Sequence, residues 1–297
     1  MPYVTVENIT AQVLEVMAKT PEPRLREITS ALVRHLHAFI REVQPSGPEF
    51  EKACEFVVGL GQATSDKKNE VILASDILGA STLITLLNDK AQGGPASVDK
   101  TDSALLGPFW REGSPAYAAG ETIARGAEAQ VPGQSLLVTG IVCDTAGEPL
   151  AGACVDVWHA SPVGLYENQD DAQPDMNLRG RFLTDAQGRF HFRSVRPAGY
   201  PVPVDGPCGD LLRAQKRHPY RPAHLHFMVS KPGYRVLVTQ MFADDDGRLD
   251  TDVTFSVVES LVGHFEKHSE GSDAHFTVCF ELVLQPGETQ FPQPPIP

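Results

Sequence analysis

Over residues 24–43 the apolar positions Leu25, Ile28, Leu32, Leu36, Phe39, Ile40 and Val43 recur mostly at spacings of three and four, the period that gathers side chains on one stripe of an α-helix. A second helix is predicted over 50–60, and a third apolar segment runs over 71–87 before the polar NDKAQGG ends it. After Lys100 the texture changes. Short β-branched runs alternate with turn signals: SLLVTGIVCD, the turn DTAGEP, then ACVDVWHA, and later RFLTD and RFHFRSV on either side of AQG. Further strands are predicted over 223–230, 235–242 and 275–284. Strands that succeed one another without intervening helices predict an antiparallel β-sandwich rather than βαβ units. The whole reads as mostly β with α: a helical N-terminal domain over 1–103, then a β-sandwich domain over 104–297. Residues 253–265 suit either a helix or a strand. The tail over 285–297, with five prolines, is predicted to lie extended on the surface. No internal repeat is present.

Composition narrows the function. The 25 Lys and Arg against 38 Asp and Glu leave a formal charge of −13, which disfavours nucleic acid or an anionic membrane as a partner. The hydrophobic share of 41% is that of a globular chain, so neither disorder nor membrane insertion is expected. The opening MPYVTVENITAQVLEVM lacks a basic segment followed by an unbroken apolar one, so a cytoplasmic protein is expected. Cys54, Cys143, Cys154, Cys208 and Cys279 form an odd set without a C-x-x-C pair. They read as reduced, mostly buried thiols rather than a disulfide framework or thiolate zinc site.

The sharpest local feature is RPAHLHFMVS, where His224 and His226 stand two apart in a predicted strand and so share one face. That spacing suits metal ligation, and it equally suits two imidazoles lining a solvated sheet face. No H-E-x-x-H and no thiolate pair completes a familiar zinc site. Two of the six tyrosines sit in loops that can approach a sheet face: Tyr166 in SPVGLYENQD and Tyr200 in RPAGYPVPVDGP. Phenolate is a hard anionic donor, and two phenolates with two imidazoles favour Fe(III). The alternative for either tyrosine is a ring packed on the sandwich with its hydroxyl in water. Asp76 is the only charge in residues 71–87; it either finds partners at the core's rim or borders a water-filled pocket.

Tyr200 in GYPVPVDGP, followed by RHPYRPAHLHF, resembles the intradiol ring-cleaving dioxygenase family, which uses non-haem Fe(III). LGPFWREGSPAY, DTAGEPLAGACVDVWHA, REITSALVRHLHAFIREV and SDILGAS are similar to family segments, so the resemblance covers nearly the whole chain. It implies that Tyr166, Tyr200, His224 and His226 are the iron ligands, that Arg221 is the active-site arginine, and that Gln240 lines the same pocket. It further implies substrate contacts from Leu73, Asp76, Leu106, Gly107, Pro108, Phe109 and Val202, with Asp76 placed to accept a hydrogen bond from an extra substrate hydroxyl. Neither Arg221 nor Gln240 stands out without the resemblance.

The implied reaction splits an ortho-diphenol between its hydroxyls with O₂, giving a cis,cis-muconate. Tyr200 is both ligand and general base, Arg221 stabilises developing charge, and no reductant is needed. The Leu-Gly-Pro-Phe form of the pocket motif resembles the hydroxyquinol (benzene-1,2,4-triol) branch, with catechol or a chlorocatechol as the alternative substrate. Trp110, and the polar Ser81 and Thr82, depart from the family pattern and bear on the pocket's shape. The family resemblance also implies a homodimer through the N-terminal helices, whose stripe over 25–43 leaves apolar surface to bury, and a phospholipid bound there. Two readings from other classes compete: a zinc hydrolase built on His224, His226 and a third ligand, and a non-catalytic sandwich that binds a ligand or protein.

Overall fold

The computed structural model describes residues 3–91, 100–127, 131–132, 134–269 and 274–296. Residues 92–94 of the polar run and Pro297 of the tail lie outside the described residues. The chain divides into two compact units, Met1–Val58 and Gly59–Pro297.

In the first unit α1 (Ile9–Met17) packs on α2 (Pro23–Val43), and α3 (Gly47–Ala63) runs on across the division. Pro23 opens α2 at a position where its missing N–H costs nothing, and the Glu22 carboxylate accepts from the free amides of Arg24 and Leu25. Gln44 ends it in the left-handed region at φ 49°. The apolar stripe of α2 is present as predicted, yet no residue of α1 or α2 is buried.

In the second unit the apolar segment over 71–87 is not one helix but two. Gly79, at φ +72°, separates α4 (Glu70–Ile77) from α5 (Ala80–Ala91), which bend by 72°. Both tie to the sheet domain: Thr82 donates to the Thr254 carbonyl at 2.9 Å and Arg217 to that of Ile77 at 2.8 Å. Helix α5 ends at Ala91 and the first strand begins at Ser135, on either side of the predicted boundary at 103, whereas compactness divides the chain at Val58. Among the described residues no single helix is long and apolar enough to cross a membrane.

Strands follow in the order β1 (Ser135–Asp144), β2 (Cys154–Trp158), β3 (Arg179–Leu183), β4 (Arg189–Val195), β5 (Tyr200–Pro201), then α6 (Pro207–Ala214), β6 (Tyr220–Arg221), β7 (His224–Ser230), β8 (Leu237–Ala243), β9 (Val262–Gly263), β10 (Glu266–His268) and β11 (His275–Leu284). One sheet runs β10-β11-β1-β4, the second β3-β2-β7-β8-β9, and β5 pairs with β6. The sandwich is as expected, but its sheets are mixed: β1 pairs with β11, and β8 with β9, in parallel. A hairpin forces antiparallel pairing, while β1 and β11 are joined through the rest of the sandwich, which leaves their direction free. Residues 253–265 settle as a turn of 3₁₀ helix and the two-residue β9. Short β5 and β6 are two residues each and carry no period, and they and the eight-residue α6 escape sequence reading. The tail is irregular, but Ile296 is buried rather than on the surface.

Val138, Val142, Phe190 and Phe192 of one sheet meet Val155, Val157, Leu225 and Phe227 of the other in the core. Gly140 lies between Phe190 and Phe280 in register, and a Cβ there would stand 2.5 Å from the Phe190 ring and 2.8 Å from the Phe280 carbonyl oxygen, so the ring closes over the bare backbone. On β7 every residue from His224 to Val229 is buried: Leu225, Phe227 and Val229 face the core, and the alternate set is covered by loops on the outer face. The thiols are all unpaired, and fewer are buried than expected: Cys143 and Cys208 are, Cys154 is half-buried, and Cys54 and Cys279 are exposed.

The outer face also holds Asp156, whose Oδ2 accepts from Trp110 Nε1 at 3.3 Å while Oδ1 finds no partner. Burial raises its carboxyl from 3.8 to about 6. The folded state therefore binds this proton more tightly than the unfolded chain does, and the stability it contributes, present below about pH 4, is lost as pH rises through 6. Asp156→Asn keeps an acceptor for Trp110 and removes the ionisation. Its stability relative to the parent, measured by urea unfolding at fixed pH values, is expected to increase between pH 4 and 6 and level off about 3 kcal/mol higher. A difference independent of pH would contradict this.

Candidate metal centre

One rung of the five-stranded sheet organises the site. Pairing sets Arg179 of β3 beside Trp158 of β2, Trp158 beside His226 of β7, and His226 beside Gln240 of β8, so four side chains line one face. The indole of Trp158 stacks on the His226 imidazole with centroids 4.7 Å apart and planes 10° apart. Two residues back on β7, His224 shares the face. The β5–β6 pair sets Tyr200 directly opposite Arg221, and Pro222 and Ala223 then lead into β7. Tyr166 enters at the head of a 3₁₀ turn, its amide donating to Gln169 Oε1 at 3.0 Å.

These elements bring Tyr166, Tyr200, His224 and His226 together. Their exposures are 1%, 3%, 1% and 2%, which rules out two imidazoles on a solvated face and two hydroxyls left in water. His224 Nε2 and His226 Nε2 are 3.1 Å apart, and Tyr166 Oη lies 3.4 Å from Tyr200 Oη. His224 Nδ1 is 2.7 Å from the Pro222 carbonyl, an acceptor, so Nδ1 carries the proton and Nε2 offers a lone pair into the cluster. His226 Nδ1 has no partner. Burial and then the Arg221 charge push His224 well below the ordinary imidazole range, and burial with His224 does the same to His226. Burial raises both phenols, Tyr166 above all. Four neutral donors thus converge, engaged only by a long contact between the two phenols and by Arg221 Nη1 on His224 Nε2, and the phenols can ionise here only beside a strong cation. That donor set fits a hard, highly charged metal ion. Among the described residues no group of three or more His, Cys, Asp or Glu side chains could hold a metal, which removes the third ligand that a zinc hydrolase on His224 and His226 requires.

Arg221 is 3% exposed and flanks the donors. Its Nη1 lies 3.2 Å from His224 Nε2, and its Nη2 donates to Gln240 Oε1 at 2.8 Å. Gln240 in turn donates to the Leu105 carbonyl at 2.6 Å, so it links the arginine to the loop that carries Leu106 to Phe109. Asp252 balances the guanidinium, accepting from Nε and Nη2 at 3.2 Å each. Burial would raise the Asp252 carboxyl, but Arg221 and the hydroxyls of Ser256 and Thr254 hold it well below the usual range. Arg221 stays charged: burial opposes it, and the Asp252 carboxylate more than offsets that.

Of the predicted wall, Phe109 stacks on Tyr166 with centroids 4.6 Å apart, and Leu106 packs on the same aromatic cluster. Gly107, at φ +75°, approaches so closely that a Cβ would stand 3.2 Å from His226 Cε1. Asp76 on α4 is 3% exposed; burial raises its carboxyl to about 6, opposed by the neighbouring Ser81 hydroxyl and by the Arg221 charge. Ser81 and Thr82 thus have local work: Ser81 Oγ donates to Ser75 Oγ at 2.8 Å beside Asp76, and Thr82 holds the Asp252 loop. Leu73 and Val202 are buried and Pro108 half-buried; they offer apolar surface and no further chemistry. Sequence reading missed Asp252, Ser256 and Trp158. TDVTFS carries no spacing that marks Asp252, whose partner lies 31 residues away.

Removing the Asp252 charge leaves a guanidinium buried without compensation. Asp252→Asn is expected to destabilise the protein by about 3–5 kcal/mol in chemical denaturation, and the added change Arg221→Met to recover part of that loss.

The chain matches two family descriptions: "Dioxygenase" over residues 106–286 and "Catechol dioxygenase N terminus" over 22–95. It is 40% identical to a 6-chlorohydroxyquinol 1,2-dioxygenase of Cupriavidus pinatubonensis over 94% of this chain and 97% of that one. It is 41% identical to a hydroxyquinol 1,2-dioxygenase of Rhizobium sp., covering 92% and 90%. The structure of a hydroxyquinol 1,2-dioxygenase from Pseudomonas putida DLL-E4 superposes with a TM-score of 0.84 at 37% identity, covering 95% of this chain and 99% of that chain. With both family matches falling on the helices and on the sheet that gathers the donors, the chain belongs to the intradiol ring-cleavage dioxygenases and is an oxidoreductase.

Proposed function

We propose that this protein is an Fe(III) dioxygenase that cleaves hydroxyquinol between its ortho hydroxyls with O₂, giving 3-hydroxy-cis,cis-muconate, the enol form of maleylacetate. The observation that carries the proposal is the buried convergence of two phenols and two neutral imidazoles beside one charged guanidinium. Tyr166, Tyr200, His224 and His226 would hold the metal. When bound, Fe(III) supplies Lewis acidity that favours the ionised forms of tyrosine and diol and makes the diol reactive toward O₂.

The chain's own groups divide the remaining work. Tyr200 takes a proton from a substrate hydroxyl at its Oη, and Arg221, paired with it across β5 and β6, holds the compensating positive charge. Gln240 and Asp252 keep that guanidinium in place. Trp158 over His226 and Phe109 over Tyr166 keep water from the donors. Leu73, Leu106, Gly107, Pro108, Phe109 and Val202 form the apolar wall, with Gln240 and Arg221 at its polar side. Asp76 accepts a hydrogen bond from the third hydroxyl of the triol, a group that catechol and chlorocatechols lack.

In the N-terminal unit, Leu32 is 62% and Phe39 56% exposed on the α2 stripe, beside Leu25, Ile28, Leu36, Ile40 and Val43. Removing such side chains from water is worth on the order of 1 kcal/mol or more each, which supports a homodimer formed through these helices. A groove of about 230 Å³ among Val6, Ile9, His37, Ile40 and Arg41 has room for part of an acyl chain, so a phospholipid held there would need the partner's helices to complete its site. The free thiols, two of them exposed, support a reducing compartment, the cytoplasm.

The test is the visible spectrum of iron-loaded protein before and after anaerobic addition of hydroxyquinol and, separately, catechol, followed by oxygen uptake with each. A tyrosinate charge-transfer band that shifts with diol, and faster uptake with hydroxyquinol, is expected; a colourless iron-replete protein would sink the ligand assignment. Asp76→Asn replaces a charged acceptor by a neutral one, so the ratio of kcat/KM for hydroxyquinol over catechol is expected to fall about tenfold. An unchanged ratio would remove Asp76 from substrate recognition.

A further inference from the structure

Arg179 is 1% exposed and opens β3 on the rung that carries Trp158, His226 and Gln240. Its guanidinium carbon lies over the Tyr166 ring, 5.8 Å from the centroid. Only Nε is satisfied, donating to Glu167 Oε1 at 2.8 Å; Nη1 and Nη2 are buried without a hydrogen-bond partner, and so is Glu167 Oε2. The same Oε1 accepts a second guanidinium, from Arg111 at 2.8 Å, which also donates to the exposed Asp175.

This is a poor arrangement for stability alone. A carboxylate and a guanidinium buried for their mutual attraction use the two-pronged fork, satisfying both oxygens and two nitrogens. Here one oxygen serves two cations, and the free end of Arg179 is spent on the face of an aromatic ring, where a cation is attracted by the π density. Glu167 directly follows Tyr166 in the chain, and Arg111 directly follows the loop of Leu106 to Trp110. The three charges therefore bind together the phenol, the loop beside it and the sheet rung.

We propose that Arg179 is a positioning residue for Tyr166: it fixes the ring from its face, and its incompletely neutralised charge lowers the energy of the electrons that the phenolate donates. The proposal rests on the reading of Tyr166 as a ligand of Fe(III). A positive charge over the face of the ring would raise the energy needed to move an electron from a phenolate to bound iron, and a less compensated charge would raise it further.

The sign of the effect makes the test. In iron-loaded protein at matched iron content, Arg179→Met is expected to move the tyrosinate charge-transfer band to longer wavelength, and Arg179→Lys to keep it near the parent position. Glu167→Gln, which removes the counter-charge and keeps the side-chain shape, is expected to move the band to shorter wavelength. A merely structural role predicts no such opposition. A band unmoved in Arg179→Met overturns the proposal. Should that variant fail to fold, Glu167→Gln decides alone, and a band that stays or moves to longer wavelength overturns it. A parent protein that is iron-replete and colourless overturns the ligand reading and this inference together; a coloured parent with unmoved variants overturns only the inference.

Discussion

The site depends on keeping one guanidinium charged out of water. Arg221 stands among two phenols and two imidazoles, all of them neutral in the bare protein, and nothing in that group can balance it. Asp252 does so, and it must be held ionised in turn by Ser256 and Thr254. The Thr254 carbonyl accepts from Thr82, so α5 is docked by the same loop that neutralises the arginine. Gln240 fixes the guanidinium's remaining edge and, through the Leu105 carbonyl, the start of the pocket loop. Helices, loop and sheet are thus placed by the hydrogen-bonding needs of a single buried cation, which is expensive to leave unsatisfied.

A second constraint is geometric. A sandwich has one core, and the outer faces of its sheets are ordinarily wet. Here β7 is buried on both faces, so its alternation of Leu225, Phe227 and Val229 with His224, His226 and Met228 separates structure from chemistry by one residue. A register shift of one position would turn the imidazoles into the hydrophobic core. The close approach of Gly107 to His226, and the stacking of Trp158 on it, seal the polar set without inserting side-chain bulk between loop and ring.

What the sequence reveals follows from how local each feature is. The period of α2, the limits of β1 and β11, and the shared face of His224 and His226 are short-range properties, and all are legible. The split of residues 71–87 turns on one Gly79 in the left-handed region, which an apolar count overlooks. The two-residue rungs of β5 and β6 have no pattern to read, yet they set Tyr200 against Arg221. Asp252, Glu167 and Arg179 are ordinary charges in sequence and acquire meaning only through partners brought by folding. Tyr166 and Tyr200 are visible as loop tyrosines, but their meeting at 3.4 Å depends on a turn and a rung that residue spacing does not encode; only the family resemblance singles them out.

The donor set also limits what the site can accept. Burial raises both phenols, so each ionisation must be supported by a cation, and one divalent ion beside two phenolates leaves no charge to attract a further anionic diol. A trivalent ion keeps one. Arg221 adds a fixed positive charge and Asp252 returns it to zero, which leaves the Asp76 carboxylate without a guanidinium of its own. Burial raises its carboxyl to about 6, so above neutrality it would present a negative charge to a substrate bound beside it. Such a group repels a diolate unless a hydroxyl of the ligand donates to it. Recognition of a third hydroxyl would therefore arise as much from the penalty Asp76 imposes on ligands lacking one as from the bond it forms.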